Sequence, residues 1–350
     1  MVIKMKNKTA VLTSPGKIIL EKRNIPSIKE DEVLLRIHCL GLCGSDLHMY
    51  TGTYKGPHKY PVVIGHEYSG EIIKTGKNVN YLKAGDCVTG DAAIWCGKCR
   101  YCQFDKNICI NIEKRGLTID GCAAEYINIK EKYLYKLPKN VDFELGSLTE
   151  PFAVGNHAII KGMGEDPYKF ADKKVLIMGA GPIGAATLML LVKEYGFKNV
   201  FINDIVDYRL ELSKKFGGII FKPEKQDINN NFNYNKIYNI DGFDYIFEST
   251  GVNSVLDRSF MHINPLGTAI SLAPIREMTL TGGFLVLKSI KLIGSLGGAG
   301  DLPKVLNAFS KDPDYYKQMI THRFEFNDIL NAMETQNKED KRLQVLININ

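Results

Sequence analysis

The sequence predicts an α/β protein of two domains, a strand-rich domain joined to a doubly wound parallel sheet. Three observations carry this. The chain has 350 residues, more than a single hydrophobic core usually serves. Its first ~150 residues hold short β-like runs separated by Gly, Pro and Asn/Asp clusters. After "TEPFAVGNHAII" the texture changes, and strand-like runs alternate with helix-like runs, as in a parallel sheet covered by helices.

In the first part, "EVLLRIHCLGL" (Glu32 to Leu42), "GEIIKTG" (Gly70 to Gly76) and "AEYINI" (Ala124 to Ile129) read as strands. In the second part, "KVLIMGA", "NVFIND", "FDYIFEST" and "GTAISLA" read as strands, and "AATLMLLVKEYG", "DYRLELSKKFG" and "VNSVLDRSFMHI" as helices. The Asn-rich stretch from Lys222 to Asn239 reads as a surface segment. No internal repeat appears at solenoid spacing.

Composition is that of a soluble globular protein, with 45% hydrophobic and 24% charged residues. The net charge of +6 is modest and no long basic run appears, which argues against nucleic acid as the main partner. The start, "MVIKMKNKTAVLTSPGK", lacks an apolar stretch of signal-peptide length. Val175 to Val192 carries no charge, but three glycines and a proline interrupt it. A buried strand, a tight turn and a helix start explain it better than a membrane span does. A cytoplasmic location is expected, where thiols stay reduced and clustered cysteines mean metal rather than disulfides.

"GAGPIG" (Gly179 to Gly184) follows a buried strand and opens an apolar helix. Gly179 permits the turn, Gly181 lets the backbone approach a pyrophosphate, and Gly184 allows helix–strand packing. Pro182 and Ile183 complete the cofactor-binding turn. Asp204 ends the next strand-like run, where a carboxylate reaches a ribose and repels a 2′-phosphate. NAD is therefore expected over NADP, with Arg209 five residues on as a further cofactor neighbour.

Cys96, Cys99, Cys102 and Cys109 form C-x2-C-x2-C-x6-C. Four thiolates on a short loop suit a tetrahedral zinc closed to water. A ferredoxin run would place its last cysteine sooner and follow it with proline, whereas Ile110 follows Cys109. Such an ion leaves no open position for substrate, so it is structural. A second set of ligand types is spread through the first domain: Cys43, Ser45, Asp46 and His48 in "GLCGSDLHMYTG", His66 and Glu67 in "VIGHEYSG", and Glu150 in "TEPFAV".

Together these motifs, with "AGDCVTGD" and "DGCAAEYINI" between them, resemble the zinc-dependent medium-chain dehydrogenase/reductase superfamily in order and over nearly the whole chain. Glu150-Pro151, where alcohol dehydrogenases place a third cysteine ligand, points to the polyol branch with its sorbitol, xylitol, galactitol-phosphate and butanediol dehydrogenases. The resemblance implies a GroES-like, β-rich catalytic domain over 1–152 and a Rossmann domain that binds NAD over 153–290. It implies that 291–350 returns to the catalytic domain. It also implies that Cys43 and His66 hold a catalytic zinc and that Glu67 is a third or exchanging ligand. Glu150 would ligate the ion or hold its water, and Asp46 would orient a ligand. Ser45 and His48 would relay protons with the cofactor ribose.

The substrate expected from this is a small secondary alcohol or polyol, with zinc acting as a Lewis acid. A homo-oligomer, dimer or tetramer, is expected too. Two departures stand out. The lobe has six residues between its last two cysteines where the family usually has seven, and "GSLGGAGD" (Gly294 to Asp301) lacks the arginine of sorbitol dehydrogenases. The second weakens the case for sorbitol itself. Rival readings are an L-threonine or 2,3-butanediol dehydrogenase and a non-enzymatic NAD-binding structural or regulatory protein. Threonine enzymes usually carry Asp-Pro at the Glu150 position, and the non-enzymatic relatives lack the ligands Cys43, His66 and Glu150.

Overall fold

The strand Glu32–Gly41 is buried along both faces, with Val33, Leu35, Ile37 and Leu40 fully enclosed, so it is central to a sheet rather than at its edge. The computed structural model describes residues 6–223, 234–275, 277–280, 283–338 and 340–349. Much of the Asn-rich stretch read as a surface segment therefore lies outside the described residues. The contacts divide the chain into two units. One runs to Ala153 and resumes at Gly298; the other is Val154–Gly297.

In the first unit Glu32–Gly41 pairs antiparallel with Glu67–Thr75, with Tyr126–Lys130 and with Gln344–Asn348. Ile320–Glu325 extends the sheet as a parallel neighbour of Gln344–Asn348. On the other side Cys87–Gly90 and Leu134–Lys136 complete it. The register sets Gly41 opposite both Glu67 and Leu346. Gly41 is needed for that close approach: a Cβ there would strike the Glu67 carboxylate and stand 2.9 Å from Gln344 Nε2. A separate sheet joins Lys6–Ser14 to Lys17–Asn24 and Val62–Val63. The core between these layers includes Leu12, Leu35, Ile37, Tyr68 and Met333.

Among the described residues the second unit holds one parallel sheet of six strands. In spatial order they are Ile219–Ile220, Val200–Asn203, Val175–Met178, Phe243–Glu248, Ile263–Ser271 and Lys291–Gly294. This is the 3-2-1-4-5-6 order of a doubly wound fold, which reverses beside the first strand. Val175–Met178 is buried throughout, as a central parallel strand must be. Leu176, Ile246, Leu256 and Phe260 form its core.

One expected boundary moves. Residues 291–297 belong with the parallel sheet, not with the returning segment, because Lys291–Gly294 registers in parallel against Thr268–Ser271. The uncharged run from Val175 divides into a strand and the helix Pro182–Met189. No helix among the described residues is long and apolar enough to cross a membrane.

Candidate active site and metal centres

Two groups of ligand side chains come together in the first unit. The first is the lobe. The four sulfurs of Cys96, Cys99, Cys102 and Cys109 lie within 4.8 Å of one another, with Cys96–Cys102 at 3.9 Å and Cys99–Cys102 at 3.4 Å. Zinc–sulfur bonds of about 2.3 Å allow ligand sulfurs up to about 4.6 Å apart, so the set fits a tetrahedral ion. Backbone amides point inward: Cys96 and Asn111 donate to Cys109 Sγ, and the amide of Ile110 leads in drawing the Cys99 thiol down to about 6. Amides aimed at sulfur favour the thiolate that a metal needs. All eight cysteines are free.

The second group is Cys43, His66 and Glu67, one donor atom of each again within 4.8 Å of the others. Cys43 caps the helix Gly44–Thr51, and His66 and Glu67 stand where the strand Glu67–Thr75 begins. Asp46 fastens the two pieces together. Its Oδ2 accepts from the Cys43 amide at 3.0 Å and its Oδ1 from the Gly65 amide at 3.1 Å. The same Oδ1 stands 3.8 Å from His66 Nδ1, and Ser45 Oγ is 3.5 Å from His66 Nε2. Asp46 is thus positioned to orient the histidine ring, as metal-binding histidines usually require.

This group carries more acid than base. Burial, then the fields of Asp46 and Glu150, pushes the Cys43 thiol up to about 11. Burial raises Glu67 well above the usual carboxylate range, and Cys43 and Glu150 add to it. Burial pulls His66 down, but Asp46, Glu150 and Glu67 outweigh it and leave the ring raised. Every acid here gains from a cation, and the thiol, imidazole and carboxylate donors are those zinc takes. The residues present therefore fit the ion.

The structure sorts the remaining expectations. Ser45 is beside the group. Glu150, expected to ligate the ion or hold its water, is not among the donors gathered within 4.8 Å, and from the helix Thr149–Met163 its charge reaches Cys43 and His66. His48 is exposed, and its ring Nδ1 meets Thr53 Oγ1 at 2.9 Å. Two neighbours escaped the sequence reading. Gln344 Nε2 donates to Glu67 Oε2 at 2.8 Å, and Lys114 lies close enough to feel Glu150 and Cys43. Gln344 had one signal, a buried amide in the apolar run "LQVLIN".

In the second unit the glycine turn is built as its spacing implies. Gly179 has φ +96°, and a Cβ on Gly184 would strike the Gly179 carbonyl. A Cβ on Gly181 would meet nothing within 4 Å, so the space in front of this helix cap is open to a ligand. Gly181 precedes Pro182 and Ile183 at the helix start, where amides face outward. Asp204, expected to meet a ribose, is engaged by the backbone around the turn. Its Oδ2 accepts from the Ala180 amide at 2.6 Å and its Oδ1 from the Val206 amide at 2.8 Å, and Arg209 approaches to 4.0 Å. The turn fits a dinucleotide pyrophosphate, and Asp204 stiffens it.

Known proteins agree with both units. The profile of the alcohol dehydrogenase GroES-like domain matches residues 29–139, and that of zinc-binding dehydrogenases matches 182–311. Sorbitol dehydrogenase of Bacillus subtilis is 28% identical over 334 residues, covering 93% of this chain and 92% of that one. An L-threonine 3-dehydrogenase of Caldanaerobacter subterraneus is 36% identical over 211 residues, 59% of each chain. The crystal structure of an Escherichia coli alcohol dehydrogenase complexed with NADH superposes with a TM-score of 0.88 at 26% identity, covering 98% of this chain and 99% of that one. With the two ligand groups, the glycine turn and these likenesses in place, the chain belongs to the zinc-dependent medium-chain dehydrogenase/reductase superfamily.

Proposed function

We propose that this enzyme transfers hydride between a secondary alcohol or polyol and NAD, at the group formed by Cys43, His66 and Glu67. The convergence of those three side chains in an acid-rich, buried setting carries the reading. Zinc held there would polarise the alcohol oxygen as a Lewis acid, and NAD would accept the hydride. The protein's share is alignment and proton handling. Asp46 fixes the Cys43 and Gly65 amides, and with them the spacing of the ligands. Gln344 engages Glu67 Oε2, which leaves Oε1 without a protein partner and available to a metal. Ser45 Oγ, beside His66, is placed to take a proton from a substrate hydroxyl and pass it outward. Glu150 adds negative charge beside Cys43 and His66.

Polyols are favoured over a simple alcohol because Lys114 and Glu150 stand near the ligand group and offer a donor and an acceptor to hydroxyls beyond the reacting one. The working compartment is the cytoplasm, in keeping with eight free cysteines, and the enzyme assembles with copies of itself. A screen of polyols, polyol phosphates, 2,3-butanediol and L-threonine, read by NAD reduction, tests the substrate. Turnover of a polyol above the others supports the reading, and L-threonine as the best substrate overturns it. Asp204→Ala should weaken NAD and narrow its advantage over NADP, by roughly two decades if a like charge had opposed the 2′-phosphate. Equal kcat/KM for the two cofactors in the unaltered enzyme would remove that role from Asp204.

A further inference from the structure

A cavity of about 400 Å³ opens in the first unit, and none of its lining residues belongs to either ligand group. Arg115 forms part of its wall and is only 9% exposed. A guanidinium carries five N–H donors and a permanent charge. Among the described residues its one hydrogen bond to the protein is a long one, from Nη2 to the Asn128 carbonyl at 3.5 Å, and its Nε is buried with no partner among them. No carboxylate among the described residues is within ion-pair reach of it, although the other cations on the wall are matched. Arg23 pairs with Glu21 and Asp120, and Lys130 with Asp31. A buried, unmatched charge is costly, and an anion in the cavity would relieve it.

We propose that this cavity binds a small organic carboxylate, held by the Arg115 guanidinium. The planar fork favours a carboxylate, which can take two parallel N–H bonds. Glu32 also lines the cavity, with its Oε2 held by the Lys29 amide and by Asn128 Nδ2. Its charge opposes a phosphate dianion more than a monoanion. Ile94, Ile119 and Ile127 supply apolar wall for the ligand's body. The site therefore selects a singly charged acid with a hydrocarbon part, and it does so apart from the alcohol site.

Isothermal titration of the full-length enzyme with benzoate, and separately with inorganic phosphate at matched ionic strength, tests this. Benzoate should bind saturably and phosphate at least tenfold more weakly. Arg115→Gln should weaken benzoate at least tenfold, while His66→Ala should leave it unchanged. Crystals of the unaltered enzyme soaked in 4-bromobenzoate should show bromine anomalous density in this cavity, which decides the matter even if Arg115→Gln fails to fold. Absent density, phosphate binding as tight as benzoate, or benzoate binding lost with His66 and kept without Arg115 would each overturn the proposal.

Discussion

The two ligand groups of the first unit are built in opposite ways. The lobe takes all four donors from one loop, and its sulfurs find each other because the chain between Cys96 and Cys109 is short. The Cys43 group takes donors from a helix cap and a strand start, and borrows Gln344 from the far end of the chain to hold Glu67. The lobe's donors saturate a tetrahedral ion. The other group offers three protein donors, one of them a carboxylate whose second oxygen is already engaged, and so leaves room for an exchangeable ligand. Closure would make the first a fastening, and incompleteness would suit the second to chemistry.

The largest consequence falls on the incomplete group. Cys43→Ser or His66→Ala should lower hydride transfer by about three decades or more, since several kcal/mol of polarisation disappear. NAD binding, read by fluorescence, should persist. Metal analysis of the unaltered enzyme should find up to two zinc per chain. One zinc per chain in fully active enzyme, lost on mutating Cys99, would erase the distinction between the groups.

The lobe should answer in stability instead. Cys99→Ser breaks a saturated site whose binding energy is folding energy, so a loss of several kcal/mol, on the order of 10 °C in Tm, is expected. Turnover per folded molecule should change little. A variant as heat-stable as the parent but inactive would reverse the assignment of the lobe.

What was legible in the sequence follows the same division. The lobe could be read from spacing alone because its geometry is local. The glycine turn was equally plain, because Gly179, Gly181 and Gly184 act within one strand–helix junction. Cys43, His66 and Glu67 gained meaning only through their resemblance to a family, because sheet register, not spacing, gathers them. Gln344 stayed hidden, since nothing local shows that its strand will pair beside Gly41. For Glu150 the resemblance leaves two roles, ligand or holder of the ion's water, and a dipeptide alone does not choose between them, because that depends on how the helix Thr149–Met163 aims the side chain. The 290/291 boundary failed for a similar reason: four residues, "KLIG", decide it, and only pairing with Thr268–Ser271 reveals them as a sheet edge.

A smaller effect sharpens the comparison from the outer shell. Gln344→Met keeps most of the volume but removes the donor that holds Glu67 Oε2. Loss of such a partner typically costs 10- to 100-fold in metal affinity or activity. Competition with a chelator should show one zinc, that of the Cys43 group, released more readily, while the lobe's zinc is unaffected. Equal release of both ions would mean that Gln344 serves the sheet rather than the site.

The smallest effect concerns how the lobe is anchored. Asp91 is fully buried; its Oδ2 accepts from Trp95 Nε1 and from the Tyr135 hydroxyl, each at 3.1 Å, and its Oδ1 from the Gly300 amide at 3.2 Å. It therefore ties the residue before Cys96 to the segment that starts at Gly298. Burial pushes its carboxyl up to about 6, and the bonds from Trp95, Gly300 and Tyr135 offset this only in part. An unfolded aspartate titrates near 3.9, so between these values the folded protein binds more protons than the unfolded chain. The contribution of Asp91 to stability is then complete below about 3.9 and declines as pH rises through 6. Asp91→Asn cannot ionise and keeps only one acceptor oxygen, where Trp95 and Tyr135 now use one oxygen and Gly300 the other, so it should lower Tm throughout and flatten this part of the Tm–pH curve by a few degrees. Curves of the same slope for the two proteins between pH 4 and pH 6 would show that Asp91 does not titrate there and that its three donors outweigh its burial.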